Sequence, residues 1–133
     1  MPTELPAMRN LCLTVALLSL PIFQFHAAAQ LQKPALTDPK EGAVFDNYPR
    51  KATFSWEPVQ WASKYCIEIQ CEIKDIDSGE SSWIVFRKLY STECHTQIDT
   101  FVGAQRGRWH VTAIDTTSAA GDTSEWRTFR FTK

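Results

Sequence analysis

The sequence has no block of like charge. Its 14 Lys and Arg and 15 Asp and Glu are interspersed and leave a net charge of -1. It therefore lacks the basic stripe that a phosphate backbone requires, and no nucleic acid is expected as a partner. No stretch keeps a 3.6-residue apolar period, which argues against helices. No Gly-x-Ser-x-Gly elbow or comparable nucleophile setting is present, so His95 and His110 read as surface histidines on strands, and no catalytic residue is assigned. No apolar run reaches the ~20 residues that a membrane-spanning helix needs. Cysteine is sparse at 4 residues, and the spacing of Cys66, Cys71, Cys94 and His95 fits no closed zinc module. No metal and no cofactor are expected.

What is present begins with an address. Met1–Asn10 is short and carries Arg9, Leu11–Phe25 is mostly apolar, and Ala27-Ala28-Ala29 sets small residues where a signal peptidase inspects them before Gln30. Met8 is an alternative start. Arg9-Asn10-Leu11 before Cys12 is not the small, apolar lipobox of a lipoprotein. The expected division is a signal peptide over residues 1–29, a short linker over 30–33 and one domain over 34–133, exported to a secreted or periplasmic location with no span in the mature chain. Five Trp, eight Phe and three Tyr supply material for a dense core.

From Gln30 onward, short alternating runs are broken by turn residues about every ten positions. Pro34 and Pro39 flank an edge strand, Val44-Phe45 follows a turn at Glu41-Gly42, and Ala52, Phe54 and Trp56 share one face of the next strand. Tyr65, Ile67, Ile69, Cys71 and Ile73 line the inward face of a long strand whose outward face carries Glu68, Gln70 and Glu72. A hairpin turn at Asp77–Glu80 leads to a returning strand with Trp83, Ile84, Val85 and Phe86. A weaker strand spans Glu93–Ile98. Trp109, Val111 and Ala113 point inward from a strong strand opened by Gly107, with Arg108, His110 and Thr112 outward. Asp115–Asp122 reads as a polar loop, and Phe129 and Phe131 mark the inward side of the last strand. Seven or so strands in about 100 residues predict an all-β, immunoglobulin-like two-sheet antiparallel sandwich.

These residues resemble the fibronectin type III domain. The resemblance covers about Pro34 to Thr132 and rests on an ordered set: the proline-led first strand, Trp56, Pro58-Val59 before Ala62-Ser63-Lys64-Tyr65, and Gly107 leading Trp109–Ala113. The stretch Phe101–Trp109 is similar to one found in single domains of secreted bacterial proteins. The resemblance implies two packed sheets and a binding or spacing role without catalysis. Three positions depart from it. Trp109 stands where the family places a tyrosine whose hydroxyl ties down a loop, Trp61 where it prefers glycine, and Gln105 where it has proline. No Arg-Gly-Asp is present, so an integrin contact is not implied.

In an oxidising compartment one disulfide and one leftover thiol are expected. Cys66 and Cys71 lie about 16 Å apart along one strand and cannot bridge, so Cys71 with Cys94 is the favoured pair because Cys71 shares the inward face. Asp75–Glu80 offers three carboxylates but reads as a solvated hairpin turn. Of the five Trp, Trp61, Trp83 and Trp126 are the expected exposed ones, and they are the candidate binding residues. The expected function is a non-catalytic interaction module for an extracellular protein or matrix component, with a carbohydrate-binding module, sugars stacking on exposed indoles, as the alternative.

Overall fold

The computed structural model describes residues 30–133, so the expected signal peptide over 1–29 lies outside the described residues. The strands are β1 (Leu36–Asp38), β2 (Ala43–Phe45), β3 (Ala52–Trp56), β4 (Lys64–Lys74), β5 (Ser81–Ser91), β6 (His95–Ile98), β7 (Arg106–Ile114), β8 (Ala120–Thr123) and β9 (Arg127–Phe131). They form the expected two-sheet sandwich. One sheet has the order β1-β3-β6, and the other runs β2-β9-β7-β4-β5 with β8 also bonded to β7. All pairs are antiparallel except β2 with β9.

Alternation along the central strands builds the interior. Phe54 of β3, Ile67 and Ile69 of β4, and Trp109 and Val111 of β7 are fully buried. Phe54 meets Trp109 edge-on at 5.0 Å and Phe129 at 5.5 Å, and Phe101 from the loop before β7 stacks on Phe86 at 5.1 Å. Trp56 packs against Tyr65 at 5.4 Å. Offset and edge contacts of this kind add to the area term that drives folding. Gly107 is required by the same packing, because a Cβ there would strike the Phe129 ring.

Four expectations are corrected. Residues 30–33, expected as a linker, are packed: Leu31 is buried in the core cluster, and a Cβ on Gly121 would meet its Cβ at 2.6 Å. The expected polar loop 115–122 contains the start of β8, which pairs Ile114 with Ala120 and joins the hydroxyls of Thr112 and Thr123 at 2.7 Å. Ile73, expected inward, is exposed, because the 11-residue β4 outruns the facing sheet, whose longest strand has 5 residues.

The disulfide is the fourth correction. Cys66, Cys71 and Cys94 are all free thiols. The Cys94 carbonyl accepts from the Trp56 N–H, and its side chain lies at Tyr65, near the start of β4. Cys71 is six positions further along that strand, so about 20 Å separates it from Cys94, well beyond the roughly 7 Å limit of a bridge. Cys66 points to the opposite face from Tyr65.

Candidate binding surfaces

Two surfaces carry the unusual side chains, the outer face of the larger sheet and one end of the sandwich. On the outer face, the β4–β7 register sets Glu68 opposite His110 and Gln70 opposite Arg108. Each pair is bonded: His110 Nε2 to Glu68 at 3.0 Å, and Arg108 Nε to Gln70 at 2.8 Å. Arg106 reaches Glu72 at 3.2 Å. Residues two apart on a strand stand about 6.6 Å apart, a gap that admits a flat ring. Trp126 fills the gap between His110 (3.6 Å between ring centroids) and Arg108 (4.2 Å). Trp83 fills the next, 4.6 Å from Arg108 and 5.8 Å from Arg106. The result is a ladder of alternating rings and guanidinium groups running across the sheet.

His110 is thus a ladder member and not an isolated surface histidine. Burial lowers its pKa below the ordinary value, assisted by the positive charges of Arg108 and Lys88 and opposed by Glu68. At neutral pH the Glu68 contact is therefore a hydrogen bond donated by a neutral imidazole. The ladder also changes the reading of two candidate residues. Trp83 and Trp126 are half-buried, and their ring faces are occupied by Arg106, Arg108 and His110. The outward phase of Arg108 and His110 was legible in the sequence. The rings that fill the gaps were not, because they come from β5 and from the residue before β9.

At the end of the sandwich where β4 begins, the loops 57–63, 92–94 and 115–119 lie together, since Lys64 pairs with Ile114 and Tyr65 with Ser91. The Ala62 N–H donates to the Val59 carbonyl at 3.2 Å and closes a four-residue turn. Trp61, third in that turn, has φ 66° and is 63% exposed. This is the left-handed position that turns ordinarily give to glycine. The rest of the end is firmly tied. Ser63 donates to the Ile114 carbonyl from its N–H at 2.7 Å and its hydroxyl at 3.2 Å. Asp115 Oδ1 accepts from the hydroxyl and N–H of Thr117 and from the Ala119 N–H, which hold its carboxyl below the usual range.

The tie expected from a tyrosine at position 109 comes instead from β4, where the Tyr65 hydroxyl accepts from the Val59 N–H at 2.9 Å. Trp109 is wholly buried, and its indole N–H has no partner among the described residues. Elsewhere, Asp75 Oδ1 accepts from the N–H groups of Asp77 and Ser78, so that carboxylate organises the β4–β5 turn. Cys66, Cys71, Cys94 and His95 are not brought together.

No protein-family model matches the chain, and no curated protein matches it significantly. Among solved structures the chain is similar to a β-1,2-glucanase from Parabacteroides distasonis, with TM-score 0.52 and 14% identity over 79% of this chain and 13% of the glucanase. It is also similar to the fn3 domain of the human collagen alpha-1(XX) chain, with TM-score 0.44 and 22% identity over 75% and 82% of the two chains. A third is an Fn3-like protein from Clostridium thermocellum, with TM-score 0.48 and 16% identity over 77% and 97%.

Proposed function

We propose that this fibronectin type III-like domain is an exported, non-catalytic module that binds an extracellular protein through the three loops around Trp61. The carrying observation is that a large aromatic stands 63% exposed at φ 66°, where glycine carries no steric strain. A non-glycine residue in that region costs roughly 1–2 kcal/mol, and the turn would close as well without the indole. Strain kept at an exposed position is a signature of sites under functional demand. Trp is also enriched among the residues that dominate protein interfaces. The neighbouring loops are held by Ser63 and Asp115, so little ordering remains to be done on binding. Export is supported by the leader pattern of residues 1–29.

The glycan alternative loses support on the outer face, because a sugar needs an open ring and those of Trp83 and Trp126 are taken. It is left with Trp61. The test uses the exported protein as bait against the extracellular fraction of its producer, beside a glycan array. The expected result is a captured protein that is lost with Trp61→Ala. A glycan hit with no captured protein would overturn the reading.

A further inference from the structure

The register of the larger sheet lines up a row of side chains on its outer face. Val44 of β2 pairs with Arg130 of β9, Arg130 pairs with Arg106 of β7, and Arg106 reaches Glu72 of β4 at 3.2 Å. The two arginines are thus directly opposite each other, with β-carbons about 5 Å apart, where like charges repel. Glu72 compensates Arg106. Arg130 is exposed and, among the described residues, has no ion pair. The charge around the pair has the same sign. Lys64, Lys74, Lys88, Arg106, Arg108 and Arg130 all face outward from β4, β5, β7 and β9, and the carboxylates at the outward positions of those strands are Glu68 and Glu72. The chain as a whole carries a net charge of -1, so this face is opposite in sign to the rest of the molecule.

We propose that Arg106 and Arg130 form a docking site for an acidic segment of a partner protein, one carboxylate of that segment accepting from both guanidinium groups while an apolar side chain beside it covers Val44. Guanidinium groups match a carboxylate with paired hydrogen bonds, and an anion seated between the two arginines removes their repulsion. The surrounding lysines add attraction at a distance. The neighbouring residue decides the class of partner. Val44 is 53% exposed beside Arg130 on the same face, and an apolar contact next to a charged one is what a protein surface supplies. A polyanionic glycan needs a track of free cations instead. Here the track stops at Glu72 on β4, and the plane of Arg108 is already stacked between Trp83 and Trp126. The site lies where β7 begins, at the end of the sheet away from Lys64 and the Trp61 turn, so its binding is separate from that of the Trp61 loops.

Titration of the isotope-labelled mature protein with a short peptide of alternating Glu and Leu, followed by nuclear magnetic resonance, tests this. The expected result is saturable shifts in β9 and the start of β7, with Kd below about 1 mM. A peptide with Gln in place of Glu should bind about tenfold more weakly or worse, and so should the peptide to Arg130→Glu, which sets a carboxylate against the incoming one. Arg130 is exposed, so that variant keeps the fold, and it should melt no lower than the parent because its new charge faces Arg106. Trp61→Ala should leave the titration unchanged. No saturation by about 1 mM, equal binding of the Gln peptide, or indifference to Arg130→Glu would overturn the proposal. So would a heparin oligosaccharide that produces the same shifts at about tenfold lower concentration, since the face would then take a polyanionic glycan.

Discussion

The guanidinium of Arg108 is clasped between two indoles, 4.2 Å from the Trp126 centroid and 4.6 Å from that of Trp83, with its Nε bonded to Gln70. A planar cation suits that slot, because it stacks on both faces while donating in its own plane. The three side chains come from β7, β5 and the residue before β9, so one outward-facing arginine joins separate parts of the larger sheet.

Arg108→Ala should therefore destabilise the fold by about 2 kcal/mol, more than an ordinary surface substitution, because two cation–π contacts and a hydrogen bond are lost together. Arg108→Lys should recover only part of this, since an ammonium has no plane to stack. Urea denaturation followed by Trp fluorescence measures both.

His110 makes the same ladder sensitive to acid. Its folded-state pKa is lowered, chiefly by burial, relative to the ordinary value of 6.5. The unfolded chain thus takes up a proton first as pH falls. The contribution is fully present above pH 6.5 and is lost as pH drops through the folded value. His110→Gln should flatten the stability profile in that window, as thermal melts at successive pH values will show.

The cysteines give a third expectation. Burial raises the Cys66 and Cys71 thiols above their ordinary pKa, which keeps them from the reactive thiolate form. Peptide mapping after alkylation in denaturant should find Cys66, Cys71 and Cys94 all as free thiols, with slow labelling of Cys71 under native conditions. A Cys71–Cys94 bridge in a peptide map would contradict the placement of those residues at opposite ends of β4.

The alternation of β3, β4 and β7 was open to reading from the sequence because each strand has one wet and one dry face. Trp56 and Trp109, in phase with apolar neighbours, are buried as that phase requires. What escaped reading depends on three-dimensional partners. Spacing excludes a Cys66–Cys71 bridge and facing direction favours Cys71 over Cys66 as the partner of Cys94, but facing does not give position relative to a residue on another segment. Ile73 kept the inward phase but passed beyond the sheet that would have covered it. Trp83 and Trp126 read as free rings because their cover comes from Arg108 and His110 on another strand. Trp61 was legible as exposed, since no alternation reaches into its turn, whereas its left-handed backbone was not.

Trp61→Gly separates strain kept for binding from strain that serves the turn itself. Glycine relaxes the φ of 66° and removes a side chain that is 63% exposed. Stability should rise by about 0.5–1 kcal/mol, the relieved strain being partly offset by the greater freedom of glycine in the unfolded chain. The same variant should fail to retain the protein that the parent captures from the extracellular fraction. A more stable domain with capture lost would show that strain at Trp61 is kept for binding. A variant that loses stability, or that captures the partner as well as the parent does, would show that Trp61 is not a strained binding residue.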